Sequence, residues 1–301
     1  MSKPEHYATP LATMQAITAA ARAASPAMGL RVSDLRSYLV FDRFLVRVFR
    51  DPRHAFILKG GTRMLAFIPT ARATVDVDLE TTLGLDDAVK HLSDLVSVDI
   101  GDRLRFRLVS RSDGGGDDQP NLSVARLAFR ADETREVVKI DLAVHARAGA
   151  ATVVAAPAFR VPLTRSVESV DYLMIAIEQQ IADKAAAMME TRHVGGDGRS
   201  SRAKDLVDLA LIAVHLPCGA RALRGAVAWQ VGERGIEPFV AVDASDAIQR
   251  GYRKAAQRAV GLTEDWREAE SLANGMLGPA LDGSVTEGRW DPELKAWVPL
   301  R

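Results

Sequence analysis

The sequence predicts an α+β fold, a strand-rich N-terminal part followed by a helical C-terminal part, and three observations carry that reading. Apolar and polar residues alternate in short runs between residues 74 and 144, the period of strands. From about Ser166 onward the apolar period becomes that of helices. Two apolar helical stretches also precede the first strand. The 301 residues are 48% hydrophobic, enough for one large or two ordinary domains with a real core.

Thr9 and Pro10 mark the start of an Ala-rich helix running to Ala24. Ser33 is positioned to cap a second helix, with Leu35, Tyr38, Leu39, Leu45 and Val48 on one side. The run Ala55 to Leu58 then enters Lys59-Gly60-Gly61-Thr62, and Arg63 to Phe67 suits a helix, so this segment reads as strand, glycine turn, helix. In Thr74 to Glu80, Val75, Val77 and Leu79 fall on one face and Asp76, Asp78 and Glu80 on the other. A face with charge of one sign needs a cation.

Leu104, Phe106 and Leu108 alternate with Arg103, Arg105 and Arg107; Leu122 to Arg130 and Glu136 to Val144 form an antiparallel hairpin, and Ser112 to Pro120 is a Gly/Asp-rich loop. Helices are expected over Asp171 to Arg192, Lys204 to His215, Ala220 to Glu233, Ser245 to Val260 and Thr263 to Leu277. His193 to Ser201 reads as a loop, and the tail with Trp290 and Trp297 as docked. The domains are residues 1–165 and 166–301.

Composition excludes several function classes. A single cysteine, Cys218, rules out an intramolecular disulfide, and the six histidines are scattered, without a Ser-His-Asp or Cys-His set. No apolar run reaches membrane-spanning length and residues 1–10 lack a signal-peptide core, so a cytoplasmic protein is expected. Basic and acidic residues balance at 39 each, so nucleic acid would have to be held locally. The candidate local surface is the segment carrying Arg43, Arg47, Arg50, Arg53, Lys59, Arg63 and Arg72, in which Asp51 is the only acid.

The chemistry concentrates in a few positions. Asp76 and Asp78, two apart on a strand, leave one face with Cα atoms about 7 Å apart, within reach of one metal or a metal pair, for which Mg²⁺ is the natural occupant. Gly60 and Gly61 let backbone N–H groups approach a triphosphate, with the Thr62 hydroxyl beside them. Asp141 supplies a third carboxylate if its strand pairs beside that of Asp78; without a divalent ion, repulsion would then raise at least one pKa. Lys184 shares a helical face with Ile177, Ile181 and Met188 and needs an anion, either a nucleotide phosphate or a buried carboxylate. Asp205 opens a helix that is apolar almost all round, and Asp208 is buried in it, with Lys184, Lys204 and Arg192 as candidate partners.

Taken in order, Phe56-Ile57-Leu58-Lys59-Gly60-Gly61-Thr62, Arg72 through Leu79, Val138-Lys139-Ile140-Asp141, and Glu178 through Lys184 and Arg192 to Leu209 resemble the AbiEii-type nucleotidyltransferase toxins, a family that includes the mycobacterial MenT toxins of type IV toxin–antitoxin systems. The resemblance implies a DNA-polymerase-β-like core with a mixed sheet, followed by a helical domain. It also implies Mg²⁺, an NTP, an antitoxin partner and, as for some members, transfer to the 3′ end of tRNA, which blocks translation. Carried over by position, Gly60, Gly61 and Thr62 hold phosphates, with Lys59, Arg192 and Asp208 beside the nucleotide; Asp76, Asp78 and Asp141 hold metal; Lys184 meets a nucleotide phosphate; and Asp205 is the essential acid of the last block. The spacing from Lys184 to Arg192 and the insert after it are longer than the family pattern. Thr74, two residues before Asp76, is a candidate regulatory modification site. The alternatives are transfer to a small molecule such as an antibiotic, transfer to a protein hydroxyl, or a binding protein that keeps the fold without catalysis; the complete set of site residues disfavours the last.

Overall fold

The computed structural model describes residues 6–68, 71, 74–115, 122–145, 149–157, 160–191, 200–257, 259 and 261–300. The chain divides into two compact units, one of Met1–Pro69 and Ala73–Ile175, the other of Thr70–Arg72 and Ala176–Arg301.

In the first unit, α1 (Pro10–Met28) starts where the Thr9 hydroxyl accepts the Ala12 N–H at 3.2 Å and stops at Gly29, whose φ is +64°. The second helix, α2 (Val32–Phe49), begins two residues earlier than a Ser33 cap implies. Arg31 is its N-cap without a side-chain bond, and Ser33 lies in the first turn rather than capping it. From Tyr38 to Phe49 this helix is buried all round, so its apolar stripe understates how deeply it sits.

The strands are β1 (Ile57–Lys59), β2 (Val77–Thr81), β3 (Phe106–Gly115), β4 (Leu122–Ala131), β5 (Val137–His145), β6 (Thr152–Ala155) and β7 (Tyr172–Ile175), with α3 (Gly60–Phe67) after β1 and α4 (Leu85–Val96) after β2. They form one mixed sheet in the order β3-β4-β5-β2-β1-β7-β6. The expected hairpin is β4–β5, antiparallel; β2 runs parallel to β5, and β1 runs antiparallel to β2 and parallel to β7. Leu58, Val77, Leu79, Ile140, Leu142 and Met174 are essentially inaccessible and join Phe44, Phe106 and Phe129 in one core, where Phe44 packs edge-on to Phe106.

Three local readings are corrected here. Val75, placed on the apolar face by the alternation, is 65% exposed, because the strand begins only at Val77. Tyr172 to Ile175, expected at the start of a helix, is a strand paired with β6 and β1. A four-residue apolar run is too short for periodicity to separate the two states. Residues 112–115, expected in a loop, extend β3, while 116–120 lie outside the described residues.

The second unit holds α5 (Ile177–Met189), α6 (Ala203–His215), α7 (Ala220–Arg234), α8 (Asp246–Ala256), α9 (Trp266–Leu281) and a small hairpin of β8 (Arg289–Asp291) and β9 (Ala296–Val298). The tail is docked: Trp290 is 2% exposed and its indole N–H donates to the Ala213 carbonyl at 2.8 Å. Residues 193–199 of the expected loop lie outside the described residues. No described helix is long and apolar enough to cross a membrane.

Candidate active site

The glycine turn is built against the acids. Gly60 has φ +66°, a conformation that side chains rarely adopt, and a Cβ added there would fall 1.9 Å from Asp78 Oδ2. The Gly61 N–H donates to that same oxygen at 3.3 Å, and a Cβ on Gly61 would meet Thr74 at 2.9 Å. The turn therefore takes two glycines because two side chains, those of Asp78 and Thr74, occupy the space where Cβ atoms would be. Thr62 is buried and donates its hydroxyl to the Asp76 carbonyl at 2.9 Å, so that group anchors the approach to β2.

Register then assembles a charged row across four strands. On the parallel pair, Asp78 of β2 lies opposite Asp141 of β5; on β1, Lys59 lies opposite Asp78; on β4, Arg126 lies opposite Asp141. Neighbouring strands are about 4.8 Å apart, so Arg126, Asp141, Asp78 and Lys59 form a line of plus, minus, minus, plus on the face away from the core. Asp76 stands just before β2 and accepts the Thr74 hydroxyl at 2.8 Å. Burial, followed by the charge of Asp76, raises the pKa of Asp141, while Arg126 and Lys59 pull it down. Two strand positions further on, Glu80 faces Lys59 and His145, each at 3.6 Å.

Among the described residues, no group of three or more His, Cys, Asp or Glu is arranged to hold a metal ion. Mg²⁺ commonly takes one or two protein carboxylates and completes its shell with water and substrate phosphate oxygens. The in-register pair of Asp78 and Asp141, with the Asp141 carboxyl raised first by burial and then by the charge of Asp76, fits that donor chemistry.

In the second unit the ammonium of Lys184 is buried and bonds Asp205 Oδ1 at 3.0 Å and Asp208 Oδ2 at 2.6 Å. Arg202 reaches Asp205 at 3.4 Å. Of the partners read from the sequence for Asp208, Lys184 is thus engaged, and Arg192 lies outside the described residues. This cluster joins α5 to the first turns of α6, where Asp205 also faces the positive end of the helix.

Half of the described members of the basic segment expected as a nucleic-acid surface are internal. Arg43, Arg47 and Arg63 are 3%, 0% and 3% exposed. Arg47 pairs with the equally buried Asp102, Arg43 with Asp42, and Arg63 donates to the Ile175 carbonyl at 2.8 Å. Arg53 pairs with Asp51, Arg50 with Glu168, and Arg72 lies outside the described residues. The reason for Arg43 and Arg47 is that they lie on the half of α2 buried in the core, so they are desolvated and each meets an acid or carbonyl. Sequence reasoning placed Glu80 on the face of the acids but missed Arg126 and His145 as neighbours of the row. The alternation within β4 signals that Arg126 faces away from the core, but only strand pairing sets it beside Asp141.

A family model described as nucleotidyl transferase AbiEii toxin, type IV toxin–antitoxin system, matches residues 43–274. No curated protein sequence matches closely enough to count as a relative. Among solved structures, MenT4, a nucleotidyltransferase toxin of Mycobacterium tuberculosis H37Rv, is similar at TM-score 0.53 and 17% identity, over 90% of this chain and 98% of that one. A Helicobacter pylori protein described as a nucleotidyltransferase has TM-score 0.47 and 14% identity, over 85% of this chain and 99% of that one. At such identities the likeness to MenT4 speaks for the fold.

Proposed function

Since the chain belongs to the AbiEii nucleotidyltransferase toxin family of type IV toxin–antitoxin systems, we propose that it transfers a nucleoside monophosphate from an NTP to an acceptor hydroxyl at the row built on Asp78 and Asp141. The observation that carries this reading is the parallel register of those two carboxylates, with the Gly60–Gly61 turn packed directly on Asp78. Transfer of this kind needs no protein nucleophile, only positioning and charge stabilisation. Asp78 and Asp141, with Asp76 adjoining, would hold Mg²⁺, which when bound would supply neutralisation of the triphosphate and a more acidic acceptor hydroxyl.

The chain's own groups do the rest. Lys59, beside Asp78 in the row, offers a cation to the phosphates, and the Gly60 and Gly61 backbone lets them approach closely. Thr62 acts indirectly by fixing the Asp76 carbonyl. In the family pattern Lys184 meets a nucleotide phosphate and Arg192 lies beside the nucleotide; the Lys184 ammonium is held and oriented by Asp205 and Asp208. The acceptor in this reading is the 3′ end of tRNA, so transfer in the cytoplasm blocks translation, and a cognate antitoxin restrains the enzyme, with Thr74 as a point of modification.

The test is incubation of the protein and its Asp78→Ala variant with labelled NTPs, Mg²⁺ and total RNA, followed by identification of what is labelled. Label on RNA 3′ ends that disappears in the variant supports the reading. Undiminished transfer by Asp78→Ala removes it, and label on small molecules or on protein replaces the acceptor.

A further inference from the structure

We propose that the open face of the sheet next to the acids is the platform for the acceptor strand, a basic strip of Arg107 on β3, Arg126 and Arg130 on β4 and Lys139 on β5 that grips nucleic-acid phosphates and reads no bases. This rests on the nucleotidyl-transfer reading only for the role given to the acids. Pairing places the four cations on one face. Arg107 lies opposite Arg130, Lys139 opposite Ala128 two residues along β4, and Arg126 opposite Asp141, which itself lies opposite Asp78. Side chains two or four apart on a strand share a face, so the strip and the acids look the same way.

Exposure agrees with the register. Arg107, Arg126, Arg130 and Lys139 are all exposed, with the Arg126 side chain at 86%, whereas the residues between them, Phe106, Leu127, Phe129, Val138 and Ile140, are buried in the core. Two carboxylates temper the strip: Asp132 lies 3.4 Å from Arg107, an exposed pair that solvent screens, and Asp141 lies 3.9 Å from Arg126. The cations span three strands and about four residues of strand length, so Arg107 lies roughly 16 Å from Asp141. That spread suits an extended polyanion better than a single phosphate, and a strand lying along it ends at the acids.

The same geometry predicts how the partner is recognised. The aromatic residues of β3 and β4, Phe106 and Phe129, point into the core at 1% and 0% exposure, and β5 has no Phe, Tyr or Trp, its His145 lying beyond Asp141 from Lys139 and facing Glu80. The strip thus offers arginine and lysine without the aromatic platforms on which single-stranded bases stack. Binding through it is electrostatic, follows counterion release and is indifferent to base identity.

The experiment measures fluorescence anisotropy of labelled bulk tRNA, and of labelled oligo(U) and oligo(A) of equal length, against the full-length protein over a salt series. It compares the parent, the charge-reversed triple variant Arg107→Glu/Arg130→Glu/Lys139→Glu and its neutral counterpart Arg107→Gln/Arg130→Gln/Lys139→Gln. The neutral variant covers the case in which charge reversal disturbs the sheet, and thermal melting checks both. The expected result is a loss of at least about 30-fold in tRNA affinity, a log–log salt slope shallower by about 2 to 3, oligo(U) and oligo(A) within about twofold of each other, and unchanged NTP affinity by calorimetry. A folded triple variant that keeps the parent's affinity and slope overturns the proposal, as does a tenfold preference between the two oligonucleotides. Because these readouts require no transfer, they are separable from the Asp78→Ala test.

Discussion

Gly60 and Asp78 are so closely packed that a single added carbon at Gly60 would lie 1.9 Å from the Asp78 carboxylate oxygen and 2.4 Å from its carboxyl carbon. The backbone of the turn and the position of the acid are thereby one structural unit. Eighteen residues apart in sequence, they are joined because β1 and β2 pair antiparallel with Lys59 opposite Asp78.

Gly60→Ala therefore displaces Asp78 while leaving the sheet in place. The positive φ costs roughly 1–2 kcal/mol for a residue with a Cβ, which a folded domain tolerates. A displacement of the carboxylate by about an ångström should cost on the order of 100-fold in transfer rate. Melting and transfer measured on the same preparation check this, and parental activity in a folded Gly60→Ala protein would sever the turn from the chemistry.

Asp141 gives a pH-dependent signature. Burial and the charge of Asp76 raise its carboxyl above the ordinary carboxylate range. A carboxyl raised on folding favours the folded state when protonated; that contribution is complete below the unfolded value of about 4 and is lost as pH rises through the folded value. At neutral pH the ionised Asp141 thus opposes folding. Asp141→Asn should raise the Tm of divalent-free protein at pH 7 by on the order of 1 °C, since the half-exposed group is screened. The gain should shrink as pH falls toward 4, and transfer should be lost throughout. A lower Tm at neutral pH would contradict the strained-carboxylate account.

Lys184 is 5% exposed and held by two acids, so its removal takes a buried cation away from both Asp208 and Asp205, the latter keeping Arg202 at 3.4 Å. Lys184→Met should lose about 3–5 kcal/mol of stability. Adding Asp208→Asn should recover part of it, because one of the stranded charges is then gone. Denaturant unfolding of the two variants provides the measurement. Transfer should remain absent in the double variant; its return alongside stability would make Lys184 a purely structural ion-pair member.

Thr74 donates its hydroxyl to Asp76 at 2.8 Å and packs on Gly61. A phosphate on that oxygen would place nearly two negative charges against the acids and the incoming triphosphate. Thr74→Glu should cut transfer about tenfold or more, whereas Thr74→Ser keeps the hydroxyl and should stay near the parent. After co-expression with the neighbouring antitoxin, peptide mapping should find the modification on Thr74; an inhibited protein of unmodified mass would assign the restraint to binding or an indirect route.

Much of the fold was legible because periodicity is a local property. The alternation in Val77 to Glu80 and Val138 to Leu142 marks strands, and Ala203 to His215 reads as a buried helix from its own residues. Tyr172 to Ile175 was not legible, since a four-residue apolar run serves equally as strand or helix start until β1 and β6 supply its partners. The arginines of α2 misled for a related reason: charge in a sequence suggests surface, and only Asp102, 55 residues away, makes Arg47 a buried ion pair.

By itself the sequence determined the residue types able to do the chemistry: paired acids on an alternating run, a glycine turn before them, and a lysine on an apolar helical face. Tertiary structure alone decided which of these meet: Asp141 beside Asp78, Arg126 rather than Arg47 on the open face, and Lys184 between Asp205 and Asp208. Backbone preference and side-chain period act over a few neighbouring residues. Strand register and burial are set by free energies shared between segments far apart in the chain, because a carboxylate or guanidinium acquires its neighbours only when the strands carrying them pair and the core beneath them closes.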